Sequence, residues 1–170
     1  MKYTSAEAAK LLRKFNEEHF NIKSEESLTK EFVAAVGEDI EEVRPAYNYS
    51  ETQNKLNELE GKIRIVKHAI NAFNVRQDVP GTGMTIDQVL IYIPQLTEKK
   101  RKLAVMQACL SKKRDAANSF GRGAAVIDYR YANYDVLAAR ADYQKVSDEL
   151  AKVQTALDLV NSTETMEINL

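Results

Sequence analysis

The chain has 170 residues, 44% of them hydrophobic and 29% charged, a balance that excludes a disordered chain and leaves room for one core over residues 1–170. Lysine plus arginine number 24 against 25 for aspartate plus glutamate, a formal net charge of -1. The basic excess of a dedicated nucleic-acid binder is therefore missing, and nucleic acid is not an expected partner. Cys109 is the only cysteine, so an internal disulfide is excluded and a reducing compartment suits the chain. The first seven residues lack a signal-peptide apolar stretch, and no run approaches the ~18 apolar residues that span a bilayer. The expectation is a soluble cytoplasmic protein with no membrane partner.

Thr4 and Glu7 have capping-box spacing, in which a hydroxyl accepts from the backbone three residues on and the longer side chain reaches back. They predict a short amphipathic helix to about His19, with Ala8, Leu11, Leu12 and Phe15 as its stripe. Residues 20–42 carry no decisive pattern. Residues 43–49 read as extended, because Pro45 excludes helix for Arg44 and two tyrosines alternate with small polar residues.

Ser50 with Gln53 predicts the start of a first long helix, whose seam runs Leu56, Leu59, Ile63, Val66, Ile70, Phe73. At ~1.5 Å per residue it would be roughly 36 Å long. Pro80-Gly81 then suits the centre of a type II turn. Thr85 with Gln88 opens a second long helix with the seam Ile86, Val89, Ile93, Leu96. Lys100 occupies the next slot before Leu103 and Met106 or Leu110 resume, and Pro94 predicts a kink or restart. Lys99 to Lys102 and Lys112 to Arg114 make the second half of that helix basic: a solvated face, or an anion-binding surface.

Residues 125–131 read as a strand that pairs with residues 43–49 in a small ribbon at one end of a bundle. Asp135 caps the last long helix, whose seam is unbroken: Val136, Ala139, Tyr143, Val146, Leu150, Val153, Leu157, Val160. The tail, 165–170, alternates and predicts an edge strand. The fold expected is mainly α: an antiparallel bundle of three long heptad-patterned helices plus a short N-terminal helix and a small β element. Seams of this length often continue across a subunit boundary, so a homo-oligomer is expected.

From about Ile63 onward three stretches carry a resemblance: residues 69–74, the helix start at 84–90, and the tail at 154–164. This layout resembles the septicolysin-like family of poorly characterised bacterial and phage helical proteins over the C-terminal two thirds. The chain departs from it in having no tryptophan near Asn161 and in carrying Tyr129 and Tyr131 in the preceding strand. The resemblance implies a helical fold and carries over no site residues. The family name suggests a cytolysin, yet no membrane-inserting segment is visible.

Most reactive side chains lack the neighbours that chemistry needs. His19 and His68 have no ligand-type residues at helical metal-site spacing, so no metal and no cofactor are expected. Cys109 reads as a buried, inert thiol. The carboxylate pairs look like solvated faces, which argues against acid-base catalysis and against an enzyme. Gly81-Thr82-Gly83 lacks the length and lysine of a P-loop, and Gly121-Arg122-Gly123 precedes a strand rather than a helix.

One constellation stands out. Arg44, Tyr47 and Tyr49 in one extended stretch mirror Arg122, Tyr129, Arg130, Tyr131 and Tyr134 around the other, so that five of eight tyrosines fall in two short segments. A tyrosine face with an arginine fork suits an aromatic anion such as a nucleotide, although tyrosines also simply suit strand pairs. The expected function is a non-enzymatic, oligomeric protein that sequesters a small nucleotide-like anion, a phage immune-evasion sponge if the source is a phage. The alternative is a structural or protein-interaction module without a small-molecule ligand.

Overall fold

The computed structural model describes residues 1–114 and 128–170. Its elements, in chain order, are β1 (Lys2–Thr4), α1 (Ser5–Thr29), α2 (Ile40–Val43), α3 (Tyr49–Arg76), β2 (Asp78–Val79), β3 (Met84–Thr85), α4 (Ile86–Gln107), β4 (Lys112–Arg114), β5 (Tyr129–Tyr131), α5 (Val136–Thr163) and β6 (Thr165–Glu167). Helices take 68% of the described residues, so the protein is mainly α with a small antiparallel β part. The chain divides into two compact units, Met1–Gln77 with Leu159–Leu170, and Asp78–Asp158.

In the first unit the Thr4 box forms as the spacing predicts: Glu7 N donates to Thr4 Oγ1 at 3.2 Å and Thr4 N donates to Glu7 Oε2 at 2.8 Å. The helix does not stop near His19. It runs 25 residues to Thr29, absorbing much of the stretch without a decisive pattern. The reason lies in its inward face, which continues from Phe15 through His19, Ile22, Glu26 and Thr29 at steps of four and three. Three of those four slots hold polar residues, which hides the seam from a hydropathy reading, and no glycine or proline interrupts it.

Two of these polar slots find partners on α3, while Thr29 Oγ1 donates back to Glu25 O at 2.8 Å. His19 Nε2 lies 3.2 Å from Glu60 Oε1, and Gln53 Nε2 donates to Glu26 Oε1 at 2.7 Å. Lys62 Nζ sits 6.0 Å from the Phe15 ring centre. Numbers rise along α1 as they fall along α3, so the two helices are antiparallel. Ser50 and Gln53 do not form the expected box. The cap is Asn48, whose Oδ1 accepts from Glu51 N at 3.1 Å, and Tyr49 becomes the first helical residue. Gln53 is spent on Glu26 instead.

The expected strand at 43–49 does not form: Ile40–Val43 is a single helical turn, and Arg44 is extended ahead of Pro45. The tail strand does form. β6 pairs antiparallel with β1 in the register Lys2↔Glu167, Tyr3↔Met166, Thr4↔Thr165, and Ile168 N donates to Met1 O at 2.9 Å. The alternation turns Met166 and Ile168 inward, where with Ala8 and Val66 they form a buried cluster under Leu12, Phe15, Ile70 and Phe73. Fully burying a side chain such as Val66 contributes roughly 1.5–3 kcal/mol.

In the second unit, Thr82 N donates to Val79 O at 3.2 Å across Pro80-Gly81, with Gly81 at φ 75. This is the expected type II turn, with proline setting the first central φ and glycine taking the left-handed second position. It closes the β2–β3 hairpin, and the Thr85–Gln88 box starts α4 as predicted. Pro94 neither breaks nor restarts α4, which continues to Gln107. Pro94 and Leu90, the residue whose carbonyl loses its donor, are both exposed, so water can serve that carbonyl.

The helix ends sooner than the apolar pattern suggests. Cys109 N donates to Met106 O at 3.2 Å in a tightened last turn, Leu110 is exposed, and Lys112–Arg114 is a strand rather than helix. Leu137 N and Ala138 N both donate to Asp135 Oδ1, at 2.8 and 3.2 Å, so Asp135 is the cap of α5. Along that helix Ala139, Val146, Leu150, Val153, Leu157 and Val160 are buried, and Val136 and Tyr143 are half-buried. Tyr134 OH reaches Met106 O, and Lys100 lies against Tyr143, so α4 and α5 run antiparallel.

Candidate ligand site

The tyrosine strand has a different partner from the one expected. β5 pairs with β4, in the register Lys112↔Tyr131, Lys113↔Arg130, Arg114↔Tyr129, and not with residues 43–49. The ribbon's six residues are four cations and two tyrosines. Alternation divides them between two faces. One carries Lys112, Arg114, Tyr129 and Tyr131, and the other carries Lys113 and Arg130.

On the first face the two rings lie 6.5 Å apart, tilted by 50°. The Lys112 ammonium sits 4.1 Å from the Tyr129 centroid and 5.5 Å from that of Tyr131, so the ring quadrupoles help to hold it. That lysine screens the tyrosine faces from a stacking ligand.

The second face lines a concavity of about 610 Å³ together with Cys109, Tyr131, Asn133 and Tyr134. This is within the size range of small-molecule sites. Lys113 and Arg130 face each other across the strands, and like charges placed this way raise the local positive potential. The Tyr134 hydroxyl donates to Met106 O at 2.8 Å, which pins the ring at the end of α4. A hydrogen bond with the Cys109 side chain, with some burial, pushes the Tyr134 phenol above its ordinary range, so it stays neutral. Cys109 itself is exposed, not the buried thiol expected. It sits two residues past Gln107, the last residue of α4, rather than on the apolar seam.

The other predicted residues sit in surroundings of their own. Arg44 is held by Glu41 at 2.9 Å, with its guanidinium 5.8 Å from the Phe32 ring centre. Tyr47 donates to Glu26 Oε1 at 2.7 Å, and that bond pushes its phenol up to about 12. The small hollow of about 190 Å³ beside it is lined by Glu25, Glu26, Glu51 and Lys55, the last paired with Glu51 at 2.6 Å, so its net charge is negative and disfavours an anion. Tyr49 is exposed on the first turn of α3. Arg122 lies outside the described residues, as do residues 125–127 of the expected strand.

Sequence reasoning gave Lys113 only as part of a basic run, solvated or anion-binding, and did not place Cys109 or Asn133 at a site. The cue available for Lys113 was the short basic run itself, which has the length and spacing of a strand as well as of a helix end. Among the described residues no three His, Cys, Asp or Glu side chains approach closely enough to hold a metal ion. Among them, too, no helix is long and apolar enough to cross a membrane.

No protein-family model matches the chain, and no curated protein does. Among solved structures, one of a functionally unknown conserved protein from Corynebacterium diphtheriae is similar, with a TM-score of 0.63 and 17% identity. The alignment covers 98% of this chain and 100% of that one. At this identity the likeness supports the fold alone.

Proposed function

We propose that the protein is a non-enzymatic binding protein that captures a small nucleotide-like anion in the concavity behind the β4–β5 ribbon. The observation that carries this reading is the Lys113–Arg130 pair. Two cations face one another across the ribbon and line a pocket that also holds Tyr131 and Tyr134. Arginine and lysine meet phosphate or carboxylate oxygens, and Tyr134, whose ring Lys112 does not cover, supplies an apolar face for a base. In a phage, such capture would remove a nucleotide signal from a host defence. Arg44, Tyr47 and Tyr49 are not among the residues that line this concavity.

The alternative is a protein-interaction module, and a specific feature favours it. Leu28, Phe32, Val33, Val36, Ile40 and Val43 are all exposed within one short stretch. Apolar residues gathered this way suit a partner surface, in a second copy or another protein. The α5 seam cannot serve that purpose, since its residues are buried within the single chain. A homo-oligomer, which belongs to this proposal, would use the 28–43 stretch instead.

Mass spectrometry of purified, denatured protein separates the two readings. A released anionic small molecule, absent from an Arg130→Ala preparation, is the expected result. Release of the same molecule from that variant in equal amount would overturn the site, and release of none from wild type would favour the interaction module.

A further inference from the structure

A second and larger concavity lies wholly within the first unit. It measures about 710 Å³ and lies between the last three turns of α3 and the β6 tail. Its floor is apolar: Ala69, Ala72 and Phe73 from α3, with Met166 and Ile168 from the strand. Ala69 and Ala72 make it hollow, since larger side chains there would fill the space between helix and strand.

Arginines stand at the two ends of its helix rim. Arg64, His68 and Arg76 follow one another on the stripe of α3 that repeats every four residues, with Ala72 between the last two. Among the described residues neither Arg64 nor Arg76 has an ion-pair partner within 4.0 Å, whereas Arg44 and Arg101 pair with nearby glutamates. Twelve residues separate the two arginines, about 18 Å along the helix. On the opposite rim, strand alternation leaves Glu167 and Asn169 outward.

We infer that this groove is a second binding site, for an amphiphilic anion with an unbranched apolar tail and a carboxylate head. The tail lies along the Ala69–Ala72–Phe73 floor and the head meets a rim arginine. An apolar trough calls for a tail, and guanidinium groups without internal counter-ions call for the carboxylate. A free nucleotide has no use for the floor, and a neutral lipid has none for the rim. Glu167 on the far rim discourages a multiply charged head and leaves a monoanion favoured.

The test uses the intact protein and three probes below their micelle concentrations: laurate, dodecyltrimethylammonium and acetate. Calorimetry with laurate should give saturable binding. The cation with the same tail should bind at least tenfold more weakly, and acetate should give no heat. Arg64→Gln with Arg76→Gln should weaken laurate at least tenfold with unchanged circular dichroism. Ala72→Phe should block the groove and abolish binding. Equal binding of laurate and the cationic amphiphile, or laurate binding unmoved in both variants, would overturn the inference. Arg130→Ala should leave laurate binding unchanged, which keeps this site separate from the ribbon pocket.

Discussion

Lys100 of α4 holds its ammonium nitrogen 5.8 Å from the centre of the Tyr143 ring of α5. Both residues occupy seam slots, Lys100 between Leu96 and Leu103, and Tyr143 between Ala139 and Val146. The apparent flaw in the α4 pattern is therefore matched by a tyrosine on the facing helix. The lysine stem covers apolar surface while its charge lies over the ring.

That pairing predicts a measurable coupling. In a double-mutant cycle, Lys100→Gln and Tyr143→Leu should show a coupling energy of about 0.5–1 kcal/mol, as for a partly exposed cation–π contact. Urea denaturation of the four proteins measures it. Strictly additive effects would mean that the two side chains stabilise the helices independently.

Val153 has no solvent exposure and sits in the middle of the α5 seam. Val153→Asp places a carboxylate where it has no water, at a cost of several kcal/mol. The expected result is loss of helical circular dichroism, or a melting temperature lowered by tens of degrees. Since the seam is buried within one chain, this loss should not depend on protein concentration.

Tyr47 should be among the last phenols to ionise. Its hydrogen bond to Glu26 raises its folded value from 10 to about 12. A group raised on folding contributes stability that is complete below its unfolded value. Here that contribution is present below pH 10 and disappears as pH rises toward 12. Absorbance titration should resolve a late phenolate in wild type, and Glu26→Ala should return it toward 10.

Glu7 has the opposite sign. The Thr4 amide and hydroxyl hold its carboxyl below the ordinary value of 4.5. Its contribution is present above that value and is lost as pH falls beneath it. Glu7→Ala should therefore be less stable than wild type near neutrality, with the gap narrowing in acid. A gap that stays constant down to pH 3 would contradict the capping-box account.

Helix positions were legible wherever the seams were apolar. The α5 seam from Val136 to Val160 and the capping residues Thr4, Thr85 and Asp135 could be read directly, as could the Pro80-Gly81 turn. The second half of α1 could not, because His19, Glu26 and Thr29 occupy its inward slots, and the first two are matched by distant partners, Glu60 and Gln53. Strand pairing was the other blind spot. Three-residue strands carry almost no periodicity, so nothing local marked Lys112–Arg114 as the partner of Tyr129–Tyr131. The candidate site was legible as a composition of tyrosine and arginine, but its division into an acidic and a basic environment depends on tertiary neighbours.

Titration calorimetry reads out the proposed anion site at Lys113 and Arg130. Wild type, Lys113→Ala and Arg130→Ala are titrated with cyclic dinucleotides and ADP-ribose derivatives at matched low salt. Saturable heat from wild type with a member of this set is the expected result. Both cations are exposed on the ribbon, so truncating either should weaken binding by about 1 kcal/mol, the upper end for a solvent-screened charged contact. No heat from any compound at high concentration, or equal affinity in all three proteins, would contradict it.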